Sequence, residues 1–243
     1  MAEFKFPTET VDLPSKGLVY PKDNPLSSGK VEIKYMTAKE EDILTNQSYI
    51  NKGTVLDKLL QSVIVDKINV DDLVVGDKNA LFVATRILGY GKLYEFTLNN
   101  TRQSVDLTEI DNKEFDPKTL IEPNKNEFAF TLPNSGVKLT YKILTGKDEK
   151  KVAREILGIK KVNKDASPEL STRLKYIIQS VDGKDEAKDI REFVDNYLLA
   201  IDSRALRDHI KDTQPDVNLV AQVDSGEEVR VPIGLSFFWP DVG

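Results

Sequence analysis

The stretch that decides the fold is "GKVEIKYMTAKEEDILT", residues 29–45. Val31 and Ile33 alternate with charged residues, which is the two-residue period of a half-buried strand. Thr37 stands three residues before Glu40, and this T-x-x-E spacing is the capping box of a helix N-terminus. The chain is therefore predicted to pass from a strand directly into a helix.

Three consecutive acids, Glu40, Glu41 and Asp42, open that helix. Such a cluster could be catalytic or could bind a hard cation through its oxygens. It lacks the spaced ligand loop of a cation site, however, and acids in a first helical turn face the positive end of the helix dipole. We therefore interpret Glu40 and Asp42 as the solvated and capped start of a helix.

Residues 1–30 are expected to form an extended arm. Four prolines interrupt this segment, and each lacks an amide donor, so it can be neither a regular helix nor a central strand. Its apolar residues, Leu13, Leu18 and Tyr20 among them, are expected to dock either on this chain or on a neighbour.

The rest of the chain alternates between helical and strand periods. Helical spacing follows the opening helix in "GTVLDKLLQSVIVDK" and "DKNALFVATRILGYG", and it returns after residue 147, with one apolar face predicted from Ile190 to Ile201. Strand alternation fills the middle, and a strand–turn–strand pattern precedes the end. The sequence predicts an α+β fold with five parts: an extended Pro-rich arm (1–30), a strand with a three-helix unit (31–91), an antiparallel β section (92–145), a second helical section (146–213), and a C-terminal β-hairpin with an aromatic tail (214–243).

The tail "LSFFWP" brings three large aromatic residues, Phe237, Phe238 and Trp239, to the chain end. A cluster this apolar is expected to be buried. It could fold back and seal its own hairpin, or it could anchor a partner, because aromatic residues carry much of the energy of protein interfaces. The sequence favours the first reading slightly and leaves both open.

Composition excludes several kinds of function. The formal charge of −6 argues against a general nucleic-acid binder, which needs a basic surface to displace counterions. The chain has no cysteine and one histidine, which excludes disulfides, thiolate zinc sites and multi-histidine metal sites. No apolar run approaches the roughly 18 residues of a membrane span, and the N-terminus lacks a signal peptide. We expect no cofactor.

The single histidine, His209, lies in a charged helix end, "RALRDHIKD". It could act as a general base or as a cation at a helix C-terminus. The simpler prediction is an exposed surface histidine, because no serine or cysteine signature stands beside it. An enzyme that uses Asp195, Asp202 or Asp208 near His209 is the last-ranked hypothesis.

Three segments, "LPSKGLVYP" (13–21), "GKVEIKYMTAKEEDILT" (29–45) and "DKNALFVATRILGYG" (77–91), together resemble the baseplate hub family of T-even-type tailed bacteriophages, which includes a baseplate hub subunit and a hub assembly catalyst. The resemblance covers roughly the first 95 residues well. Relatives place cysteine pairs near "LNNTRQSVDL" and "DSGEE", and the absence of cysteine here removes any zinc role from this member.

The resemblance implies a non-enzymatic protein that docks onto other phage tail or hub proteins, including the tape-measure protein. Its anchors would be Leu13, Leu18 and Tyr20 in the arm and Phe237, Phe238 and Trp239 in the tail. It would be a hub subunit in the virion, or a transient assembly chaperone that acts in the host cytoplasm and leaves. The sequence does not fix the oligomeric state, although an extended arm invites exchange between subunits.

Overall fold

The computed structural model describes residues 7–98, 100–222, 226 and 228–238. The strands of this part are β1 (Thr8–Asp12), β2 (Lys30–Lys34), β3 (Leu93–Leu98), β4 (Thr101–Asp106), β5 (Phe128–Thr131), β6 (Lys138–Tyr141), β7 (Ile178–Val181), β8 (Val220–Gln222) and β9 (Glu228–Arg230). The helices are α1 (Ala38–Thr45), α2 (Gln47–Asn51), α3 (Val55–Val63), α4 (Val75–Tyr90), α5 (Gly146–Val162), α6 (Glu169–Ile177), α7 (Ala187–Asn196), α8 (Ala200–Thr213) and α9 (Leu235–Phe238).

The predicted α+β class is confirmed. The strands form small antiparallel sheets in the order β1-β2, β3-β4, β5-β6-β7 and β8-β9. One hydrophobic cluster runs from Leu13 to Phe238 and draws buried side chains from all five predicted parts. The parts therefore share a core.

The first 30 residues do not lie across the surface as an extended arm. β1 pairs with β2, and the intervening loop closes where the Leu13 amide donates to the Gly29 carbonyl at 2.8 Å. Gly17 has a φ of 77°, and a Cβ there would lie 2.6 Å from the Gly29 amide nitrogen, so the loop needs glycine at this turn. The prolines limit regular structure, but burial of the loop's apolar residues makes it compact.

The capped helix predicted at Thr37 is confirmed as α1. Both the amide and the hydroxyl of Thr37 donate to the Glu40 carboxylate, at 2.9 and 2.6 Å. The Glu40 side chain is fully buried and also accepts from Lys34 at 2.9 Å and Ser62 at 2.6 Å. Glu40 thus joins β2, α1 and α3, which is more than a solvated cap.

Two predictions in the second helical section are wrong. Residues 178–181 are predicted to be helical, but α6 ends at Ile177 and these residues form β7. They pair with β6 and complete its sheet. The single apolar face predicted from Ile190 to Ile201 breaks at residues 197–199, between α7 and α8. Tyr197 and Ile201 consequently point away from the core.

Candidate interaction surface

The corner between α7 and α8 exposes three large apolar side chains within five residues. Tyr197, Leu199 and Ile201 are 63%, 50% and 60% exposed. α7 buries Ile190, Phe193 and Val194 on its inner face, but the chain turns at Leu199 before α8 begins, so this corner leaves the core. A group of exposed apolar side chains of this kind is typical of a protein-binding surface. We call it the α7–α8 corner.

A second exposed surface lies on α5. Lys150, Arg154, Leu157 and Lys161 follow one another at intervals of three or four residues, which places them on one side of the helix. Leu157 is 61% exposed between these cations, while Val152 on the other side is buried. We call these four residues the basic face of α5.

A partly exposed hydrogen-bond network connects α5, α6 and α7. The Glu155 carboxylate of α5 accepts two hydrogen bonds from Arg191 of α7, at 2.6 and 2.7 Å, and one from the Tyr176 hydroxyl of α6 at 2.9 Å. The hydrogen bonds from Arg191 are the main reason that the pKa of Glu155 falls to about 2. The carboxylate therefore stays charged, and the bidentate geometry holds α5, α6 and α7 in one arrangement.

The tail residues predicted as partner anchors are core residues. Phe237 and Phe238 are fully buried, and their rings pack on Tyr94 and Phe82 at centroid distances of 4.9 and 5.9 Å. Nε of Arg86 donates to the Phe237 carbonyl at 2.9 Å and ties the tail to α4. As placed, these two phenylalanines cannot contact a partner. Trp239 lies outside the described residues.

The arm residues Leu13 and Tyr20 are also buried in this chain, and Leu18 is half-buried against the same core. The Tyr20 hydroxyl donates to the Asp77 carboxylate at 2.5 Å, and Ser15 donates to it through its amide and its hydroxyl, at 2.8 and 2.6 Å. Burial raises the pKa of Asp77, although these hydrogen bonds oppose the shift. The arm therefore docks on its own chain and not on a neighbour, which is one of the two predicted alternatives.

His209 is not an exposed surface histidine. Its ring stacks on Phe130 with centroids 4.4 Å apart and meets Tyr141 edge-on at 5.8 Å. Burial lowers its pKa. This is a packing role between α8 and the β5–β6–β7 sheet.

The three carboxylates of the enzyme hypothesis have separate structural partners. Asp202 is buried and accepts hydrogen bonds from the amides of Asn134 and Ser135 in the β5–β6 turn, at 2.9 and 3.0 Å. Asp195 pairs with Lys175 at 2.7 Å, and Asp208 lies 3.7 Å from Arg204 on the exposed side of α8. The first two of these carboxylates connect secondary-structure elements, and the third stabilises the surface of its own helix.

Comparisons with protein-family models, curated proteins and solved structures find no match to this chain. Among the described residues, no helix combines the length and hydropathy needed to cross a membrane. In the same part of the chain, no three His, Asp or Glu side chains come together as metal ligands.

The sequence does not predict this candidate surface. The spacing of Tyr197 and Ile201 predicts a continuous apolar helix face, and nothing in the apolar pattern distinguishes Leu157. The one available signal was the pair of Lys and Arg residues that flank Leu157 at helical spacing, since a buried helix face would not alternate with cations in this way.

Proposed function

We propose that this chain is a non-enzymatic protein of a bacteriophage tail baseplate hub, or a factor that assembles the hub, and that it acts by docking onto other tail proteins. The observation that carries docking is the α7–α8 corner, where Tyr197, Leu199 and Ile201 are exposed together. Aromatic and aliphatic side chains of this kind supply interface energy when a partner removes them from water.

The resemblance to the hub family supports the phage assignment. Its three segments are in direct contact in the fold: Ser15 and Tyr20 of the first bind Asp77 of the third. β1 pairs with β2 of the second segment and carries the chain into the first. The residues that resemble the family therefore belong to one physical unit rather than to unrelated stretches.

The docking surface differs from the one that the resemblance implied. With the arm and the tail buried in this chain, a partner must dock on other exposed apolar side chains. Single ones lie elsewhere on the described surface, but the α7–α8 corner brings three together within five residues. The N-terminal unit that resembles the hub family then serves as the support, and the second helical section presents the contact.

Mass spectrometry of purified phage particles, beside affinity capture of the tagged protein from infected cells, tests the proposal. A fixed low copy number in particles identifies a hub subunit. Capture of hub or tape-measure proteins without incorporation identifies a transient assembly chaperone. Absence from particles together with no captured tail protein would refute both forms of the proposal.

A further inference from the structure

The basic face of α5 contrasts with the chain as a whole. α5 holds six Lys and Arg residues and three Asp and Glu residues, whereas the whole chain has a net charge of −6. All three acids are engaged: Asp148 pairs with Lys142, Glu149 with Arg173 and Glu155 with Arg191. The outward side of the helix is therefore positive.

Three of the six α5 cations are paired as well: Lys147 with Asp72, Lys150 of the basic face with Asp57 and Asp71, and Lys160 with Glu169. The other three, Lys151, Arg154 and Lys161, have no ion-pair partner in the described part of the chain. Leu157 is exposed between Arg154 and Lys161 along the helix, so this part of the basic face has an apolar centre with a positive charge on either side. That arrangement matches the usual anatomy of an interface, in which the rim is polar and the centre excludes water.

The segment around α7 has the opposite charge. Residues 182–196 hold six Asp and Glu residues and three Lys and Arg residues. Arg191 is occupied by Glu155, and Asp195 by Lys175. Asp182 accepts a hydrogen bond from the Lys138 amide at 2.9 Å. Within the described ranges, the remaining four carboxylates of this segment have no ion-pair partner: Asp185, Glu186, Asp189 and Glu192. We call these four residues the acidic face of α7, and it leads directly into the α7–α8 corner.

We propose that this chain self-associates, with the basic face of α5 on one copy docked against the acidic face of α7 and the α7–α8 corner on another. The inference rests on the proposed docking function and names a partner for that surface. Each surface joins exposed apolar side chains to an excess of charges of one sign, positive on α5 and negative on α7, where Lys184 and Lys188 are outnumbered by the carboxylates. Complementary charges steer encounter and fix register, while identical faces repel each other.

A second copy of this chain is favoured over an unrelated partner, because one chain carries both the basic face of α5 and the acidic face of α7. Contact between unlike surfaces on two copies closes into a ring, closes reciprocally across a two-fold axis, or continues as an open assembly.

Sedimentation velocity of the full chain over a range of protein and salt concentrations tests self-association directly. Two charge-reversed variants sharpen the test. Arg154→Glu with Lys161→Glu makes the α5 face acidic like the α7 face, and Asp185→Lys with Glu186→Lys and Glu192→Lys makes the α7 face basic like the α5 face. We expect each variant alone to associate at least about tenfold more weakly than the wild type. Mixed at equal concentrations, the two variants should associate again, because the unchanged basic face of α5 on the second variant meets the unchanged acidic face of α7 on the first.

A matched control reverses two exposed lysines outside the proposed surfaces, Lys39→Glu on α1 with Lys118→Glu between β4 and β5, and changes the net charge as the acidic variant does. It should associate like the wild type. Circular dichroism and thermal melting show whether each variant is folded. A wild type that stays monomeric up to about 1 mM, or folded variants that fail to associate on mixing, would overturn the inference.

The two proposals can fail separately. If the wild type is monomeric but still captures hub or tape-measure proteins from infected cells, self-association is wrong and tail docking stands. If it self-associates as expected but neither enters particles nor captures a tail protein, the phage assignment is wrong and the interface stands.

Discussion

Glu40 should make the folded state strongly dependent on acid pH. Burial raises the pKa of this carboxyl, but hydrogen bonds from Ser62, Thr37 and Lys34 outweigh burial and hold the pKa at about 2, below the ordinary value of 4.5. At about 1.4 kcal/mol per pKa unit, the shift corresponds to about 3 kcal/mol of stability at neutral pH.

The sign follows from the lower pKa in the folded state. The stabilisation is fully present above the unfolded pKa of 4.5 and is lost as the pH falls through about 2. Glu40→Gln removes the charge while keeping the shape. We expect the free energy of unfolding of the variant to be about 3 kcal/mol below that of the wild type at pH 7. Near pH 3.5 this difference in free energy should be smaller by about 1 kcal/mol.

Urea denaturation at several pH values measures both effects, with Glu41→Gln as the matched control. Glu41 is the next residue of the same helix, is exposed, and accepts one hydrogen bond from Tyr90 at 3.3 Å. Its removal should cost less than about 0.5 kcal/mol at any pH. A Glu40→Gln gap that is absent, or that stays constant with pH, would contradict the role assigned to this carboxylate.

Two further predictions concern the arm and the tail. Asp77→Ala should lower the free energy of unfolding by about 3 to 5 kcal/mol, because Ser15 and Tyr20 lose a buried acceptor. Tyr20→Phe should lower it by less, because the Asp77 carboxylate keeps its hydrogen bonds from Ser15. Denaturant titrations that give equal losses of free energy for the two variants would contradict the role of this network. Phe238→Ala should cost about 3 to 5 kcal/mol through the cavity it leaves, and deletion of 236–243 should lower the melting temperature further. Unchanged melting of the truncated chain would show that the tail is not part of the core.

The sequence predicted those elements whose signals are local. The α1 cap could be read from Thr37 and Glu40, which are three residues apart, and their pairing needs no distant contact. Strand alternation likewise located β2 and the middle hairpins. These features are decided by backbone period and capping chemistry within a few residues.

The features that the sequence did not predict depend on distant partners. The Asp77 carboxylate accepts a hydrogen bond from Ser15, which lies 62 residues earlier in the sequence, and no local pattern identifies Ser15 as its donor. The sequence of β7 predicts a helix, because Ile178 and Val181 are three residues apart, which is a helical spacing. Only the pairing with β6 makes it a strand. The turn at Leu199 contains neither glycine nor proline, so the exposure of Tyr197 and Ile201 had no breaker signal.

The most direct test of docking through the α7–α8 corner is quantitative affinity capture from infected cells with the wild type and with a Tyr197→Ser, Ile201→Ser variant. Both side chains are exposed, so the variant should melt within a few degrees of the wild type. We predict that the wild type retains hub or tape-measure proteins and that the variant loses most of them. Equal retention of those proteins by the folded variant would contradict docking through this corner.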